Sequence, residues 1–471
     1  MPLPTRPAVA ALVASLVIAT TAQAQASPLH RDTVAAVDRV FARYSATTPG
    51  CAVGIARGGQ EILARGYGLA ELEHRAPITP ATIFEAGSVS KQFTAFLALL
   101  LEQEGRLSLD DPLRKYLPEL PDYGAPLTIR QVLNHTSGLR DWYGIASVQG
   151  LPAGERHFRN DDLLEMASRQ RALNFPSGTE YLYSNTGWNL MAIVVERVTG
   201  ESFQEASRRR IFEPLGMAST RWRDDYQMVV PGRAPAYSGS GTTWRQANPY
   251  MSIVGAGGLL TTVHDLLKWN ENLSTGRVGG KALVDRMQQR SRLANGTETD
   301  YGLGLSIRDA RGIPEVGHGG STGGYRSQVV RFPTRQLSIA ILCNETRATV
   351  ADANAIADIF LGAAPVQPAS VASADSSAAK PRWAPDAAAL REYVGEYHTD
   401  EAPATWRVAA NGDTLVLHGP ARRRIVLRPE SRDSFNAPGL GTVVFRRDGA
   451  GRVTAVSFRM GRLRDIRLER R

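Results

Sequence analysis

Strand-like runs stand at both ends of one long segment of this chain, and almost everything between them reads as helix or loop. Near its start, "CAVGIARGG" and "EILARGYGLAE" alternate with period two and meet at Gly58-Gly59, the pattern of a β-hairpin. The same period returns only after Asp300, in "YGLGLSI", "EVGHGG", "RSQVVRFP" and "LSIAILCNE". A lone hairpin is barely stable in water, so the early pair needs the late strands as partners. One α+β domain whose sheet joins its two ends is the fold this requires. Helical patterns flank the sheet segments, Thr33 to Tyr44 before the hairpin and "ADANAIADIFLG" after the last strand.

The boundaries of that domain follow from composition. Residues 1–24 combine Arg6, the apolar run "AVAALVASLVIA" and an A-x-A site, the pattern of a signal peptide. Its apolar run is too short to span a bilayer, and no later segment is long and apolar enough, so the mature chain is expected to be exported, periplasmic or secreted. The main domain then covers 25–362. Residues 363–387 are rich in Ala, Pro and Ser and read as a linker. From 388 to 471 period-two runs return between Asn411-Gly412 and Asp448-Gly449 turns, predicting a small antiparallel barrel-like domain.

Charge and cysteines narrow the function. The net charge of +9 is spread along the chain, with its densest cluster at Arg422 to Arg424. No nucleic-acid motif or basic–aromatic stripe accompanies it, so nucleic acid is excluded as a partner, and attraction to an anionic envelope surface accounts better for the charge. The eight histidines lack metal-site spacing, so neither a metal nor another cofactor is expected. Cys51 and Cys343 lie at edges of strand-like runs. Export permits a disulfide between them if those strands are antiparallel neighbours; two buried thiols are the alternative.

The chemistry starts at "FEAGSVSKQFTAFLALLLEQEG", Phe84 to Gly105. Phe93, Phe96, Leu97, Leu100 and Leu101 recur at helical spacing, so this is a core-facing helix. Ser88 fits its first turn, and Lys91 lies one turn on along the same face. Taken alone, Ser88 could simply cap the helix and Lys91 solvate it.

Two more segments change that reading. "YLYSNTGWNL" sets Tyr183-Ser184-Asn185 before an apolar helix, and "GHGGSTGGYRSQ" sets His318-Gly319-Gly320 at a strand end. Together with Ser88-Val89-Ser90-Lys91, they resemble the three elements of the serine β-lactamase and penicillin-binding protein superfamily. The tyrosine in the second element resembles the class C β-lactamase-like branch, with its D-aminopeptidases, D-Ala-D-Ala carboxypeptidases and esterases. "LNHTSGL" and "GAGGLLTTVHDLLKW" are similar to that branch too.

The resemblance implies an acyl-enzyme mechanism. Ser88 would be the nucleophile, and Lys91 and Tyr183 would share its activation and protonation of the leaving group. Asn185 would bond both Lys91 and substrate. The backbone of Ser88 and Ser321 would hold the oxyanion, and Gly319 and Gly320 would let substrate approach the strand edge. His318 replaces the family's lysine and, mostly neutral at pH 7, weakens the contact to a substrate carboxylate. Arg326 is close enough in sequence to compensate. The expected substrates are peptides or amides containing D-amino acids, cell-wall fragments among them, with esters also accepted. A β-lactamase, or a penicillin-binding sensor with little turnover, is the alternative. Gly319 to Gly323 also matches G-x-S-x-G, but strand-like sequence follows Ser321 where that elbow needs a helix.

Overall fold

A computed structural model describes residues 29–152, 154–347, 349–363 and 383–471. The expected signal peptide, 1–24, and most of the 363–387 segment lie outside the described residues. In chain order the main domain has helix α1 (Arg31–Val40), strands β1 (Cys51–Arg57) and β2 (Gln60–Tyr67), and helices α2 (Ser90–Gln103), α3 (Thr186–Thr199) and α4 (Val263–Thr275). Strands β3 (Ser306–Ala310), β4 (Ile313–Thr322), β5 (Tyr325–Phe332) and β6 (Leu337–Cys343) follow, then helix α5 (Val350–Leu361).

The six strands form one antiparallel sheet in the order β3-β4-β5-β6-β1-β2. The early hairpin therefore adds to the last strand, as its isolation in the sequence demands. Alternation on β1 sorts its side chains by face. Cys51, Val53 and Ile55 join Val37 of α1, Phe41 just after it and Ile356 of α5, while Ala52 and Ala56 join the larger core holding α2, α3 and α4. Gly54 keeps that second face flat, since an added Cβ would lie 3.1 Å from Val263 of α4. "YGLGLSI" is strand only from Ser306. Gly304 instead turns with φ 74° against the backbone of Lys91, where a Cβ would sit 2.7 Å from the Lys91 carbonyl oxygen.

Eight further strands close a barrel: β7 (Gly395–Thr399), β8 (Ala404–Asn411), β9 (Thr414–His418), β10 (Arg424–Ser431), β11 (Ser434–Ala437), β12 (Gly441–Arg447), β13 (Val453–Met460) and β14 (Leu463–Arg470). Trp383 packs edge-on against Tyr393 and Phe435, so the end of the segment read as linker lies against the barrel. Trp142, Ile145, Val148 and Phe158 of the main domain share one apolar cluster with Trp406, Phe458 and Leu463 of the barrel. At its edge Arg140 forms a buried ion pair with Glu401, and Gln170 donates to the Glu401 carbonyl. Among the described residues no helix is long and apolar enough to cross a membrane.

Cys51 and Cys343 face each other in the β1–β6 register and are joined by a disulfide across 292 residues of sequence. The bridge locks the seam that the long chain excursion must close. Replacing both cysteines with alanine should lower the unfolding free energy by about 3–5 kcal/mol. Denaturant titration with and without reductant measures it, and the double variant should no longer respond to reductant.

Candidate active site

Ser88 does not cap α2. It sits in a 3-10 turn, Gly87–Val89, that feeds the helix, and the N-cap position, Val89, makes no side-chain bond. Gly87 takes φ 52°, with an added Cβ only 2.7 Å from the Ser321 nitrogen. The start of α2 and the β4 edge are thereby brought into contact, which puts the Ser88 and Ser321 backbones on one site. Gly320 completes the fit: a Cβ there would fall 2.0 Å from the Ala86 carbonyl oxygen, a carbonyl that also accepts from Ser327 at 2.7 Å.

Lys91, in the first turn of α2, is fully buried. Its Nζ lies 3.2 Å from Ser88 Oγ, 2.9 Å from Asn185 Oδ1 and 2.9 Å from the Ala256 carbonyl oxygen. Burial, with help from the Arg462 charge, holds its pKa well below the ordinary lysine range, and Asp141 opposes that shift. A neutral amine has two N–H donors and one lone pair. The two oxygens that can only accept, on Asn185 and Ala256, take the donors, so the lone pair faces the Ser88 hydroxyl. That is the arrangement of a base poised to take a serine proton.

Asn185 stands at the N-cap position of α3 but makes no capping bond with its side chain. Its Oδ1 is held by Lys91, while its Nδ2 and its backbone N–H both donate to Asp141 Oδ2 at 2.9 and 2.8 Å. Tyr183 stacks on His135 with centroids 4.0 Å apart. His135 also grips the chain on both sides of it: its carbonyl accepts from the Leu182 N–H and its Nδ1 from the Ser184 N–H. Burial pushes the Tyr183 phenol above its usual range, against a hydrogen bond with Ser88 and the Arg462 charge. Tyr183 therefore stands as a phenol, a proton donor.

His318 is on β4 as expected, but both ring nitrogens are committed. Its Nδ1 donates to the Gly319 carbonyl at 2.6 Å, which leaves Nε2 to accept from the Tyr301 hydroxyl at 2.9 Å. Burial pushes its pKa down to about 3, so it is neutral across the working range. Arg326 does not replace the missing cation at the strand. Its guanidinium turns back onto the carbonyls of Gly323 and Tyr325.

Ser88, Tyr183, Asn185, His318, Gly319, Gly320 and Ser321 all line one cavity of about 1010 Å³, with Lys91 beneath Ser88. Sequence reasoning missed four contributors. His135 lies in "LNHTSGL", a segment noted without assigning it a role, Asp141 lies two residues beyond it, and Tyr301 lies in the loop before β3. Arg462 comes from the barrel, on the turn between β13 and β14. Its guanidinium sits 4.4 Å from the Tyr183 ring centroid and 3.9 Å from Asp141 Oδ2.

Known proteins share this fold. Residues 37–364 match the β-lactamase family. A D-aminopeptidase of Cereibacter sphaeroides strain KD131 is 29% identical over 379 residues, covering 79% of this chain and 69% of that protein. The octameric penicillin-binding protein homologue of Pyrococcus abyssi superposes with a TM-score of 0.61 at 25% identity, over 93% of this chain and 99% of that one. A D-stereospecific amidohydrolase from Streptomyces sp. gives a TM-score of 0.58 at 25% identity, over 70% and 99%. The class is that of a serine hydrolase. The chain belongs to the β-lactamase family.

Gly320→Ala should lower kcat/KM by more than about 100-fold, because the new methyl displaces the Ala86–Ser88 turn by a fraction of an ångström to an ångström. A chromogenic ester assay, run well below the unfolding transition, checks it.

Proposed function

We propose that this protein is an exported serine peptidase or amidase that cleaves amide bonds in D-amino-acid-containing substrates through an acyl-enzyme on Ser88. The observation that carries the proposal is the buried Lys91 amine, with Nζ 3.2 Å from Ser88 Oγ and held at 2.9 Å by both Asn185 Oδ1 and the Ala256 carbonyl. The D-aminopeptidase and the D-stereospecific amidohydrolase among its relatives support the substrate class. Support for export comes from the leader-like N-terminus and from a disulfide, which persists in oxidising compartments.

The steps follow from the groups in place. Lys91 takes the Oγ proton as Ser88 attacks the carbonyl carbon, and the carbonyl π electrons move to oxygen. The Ser88 and Ser321 N–H groups receive that oxyanion, so its charge develops against dipoles already oriented. As the tetrahedral intermediate collapses, the Tyr183 phenol protonates the leaving amine and is recharged from Lys91. Water then repeats the sequence against the acyl-serine, with Lys91 again accepting the proton. Neutral His318 gives the strand no fixed cation, which weighs against efficient β-lactam hydrolysis as the primary activity.

Ser88→Ala should abolish hydrolysis of D-amino acid amides and esters, whereas Ser321→Ala, which keeps its backbone N–H, should retain most of it. Steady-state rates for the two variants test the nucleophile, and the reverse pattern would overturn it. The pH profile tests the base. Activity rises as Lys91 loses its proton, so kcat/KM should climb through one acid limb to a plateau. Asp141 raises the Lys91 pKa, so Asp141→Asn, which can still accept from Asn185, should move that limb to lower pH.

A further inference from the structure

The cavity carries a charge that the mechanism above leaves unused. Among the described residues, four charged side chains line it: Glu85, Asp141, Arg326 and Arg462. Glu85 is buried and paired with Arg223 at 2.9 Å. Asp141 accepts three N–H bonds, two from Asn185 and one from Tyr143. Arg326 is turned onto the carbonyls of its own loop. That leaves Arg462. Its guanidinium makes no hydrogen bond among the described residues, its nearest carboxylate is 3.9 Å away, and its side chain is 50% exposed.

The backbone beneath this cation is fixed. The Arg462 carbonyl accepts from Asn174 Nδ2 at 3.0 Å and from the Asp141 N–H at 3.3 Å, and the Arg464 N–H donates to Asn174 Oδ1 at 2.7 Å. Gly144 lets the turn come close, since a Cβ there would meet Leu463 at 2.8 Å. A long cationic side chain on an anchored turn, with its five donors unspent, is a preformed seat for a planar anion.

Its place against Tyr183 says which part of a substrate would meet it. Tyr183 protonates the departing nitrogen in the mechanism above, on which this inference rests. When the departing group is an amino acid, its α-carboxylate carbon is only two bonds from that nitrogen. A cation stacked 4.4 Å over the Tyr183 ring lies on the path of that carboxylate. We infer that Arg462, supplied by the barrel, binds the free α-carboxylate of the leaving amino acid, so that the enzyme prefers peptides with an unblocked C-terminus over their amides. The barrel is then a specificity element, taking over the carboxylate contact that His318 cannot make.

The experiment compares N-acetyl-D-alanyl-D-alanine with its C-terminal amide, using the full-length protein, and takes the ratio of their kcat/KM values. The wild type should favour the free acid by about tenfold or more, mainly through KM. Arg462→Gln should bring the ratio close to one, and Arg462→Lys should keep part of it, as a point charge without the planar fork. Using a ratio cancels any rate lost with the guanidinium beside Tyr183. A wild-type preference for the amide, or a ratio unchanged in Arg462→Gln, overturns the inference. Equal cleavage of both probes by the wild type removes the Arg462 assignment and leaves the proposed function standing. Cleavage of neither, with Ser88 still acylated by a nitrophenyl ester, removes the D-peptide reading and this inference with it.

Discussion

A single amine without water organises this protein. Lys91 is fully buried, and an unpaired ammonium in such a place costs far more than an uncharged amine with satisfied partners. The surroundings supply two acceptors and one hydroxyl, which suits the neutral form. Each partner is then held in turn. Asn185 is fixed by Asp141, and the Ala256 carbonyl lies in a glycine-rich loop pressed against α3, where a Cβ on Gly255 would fall 2.2 Å from the Trp188 carbonyl oxygen. The geometry around the nucleophile follows from keeping one nitrogen dry.

The same dryness decides the protonation of its neighbours. His135, His318, Tyr183 and Tyr301 surround Lys91 and share its low-dielectric pocket. Burial drives both histidines toward the neutral imidazole and both tyrosines toward the phenol. The site thus contains few formal charges, and those present at the cavity wall act over longer distances than they would in water. Asp141 and Arg462, 3.9 Å apart, push the lysine in opposite directions. Small changes in either would be felt at the base.

Much of this was legible in the sequence because it is local. Period-two runs located the hairpin and the late strands, and a sheet joining them was the only way to partner both. The S-x-x-K pair was readable because three residues of tight turn and helix start bring Ser88 and Lys91 together, and the Tyr183 and His318 segments carried the family's pattern. What stayed hidden is not local. Nothing around His135 shows that its ring will stack on Tyr183, since that contact spans two loops. The partner of His318 Nε2 is Tyr301, which comes from the loop before β3. Arg462 was least visible: a basic residue in a basic hairpin, it acquires meaning only when the barrel docks.

That docking runs through two adjacent residues. Arg140 is tied to Glu401 of the barrel, and Asp141, the next residue, both meets the Arg462 turn and orients Asn185. The turn lies between the final two strands of the barrel, which closes only when β14 pairs with β7. Ser88, Lys91 and Tyr183 thus stand far ahead in sequence of the cation that faces the Tyr183 ring. The wall of the cavity is a joint product of two domains, and its last piece is set by the final pair of barrel strands.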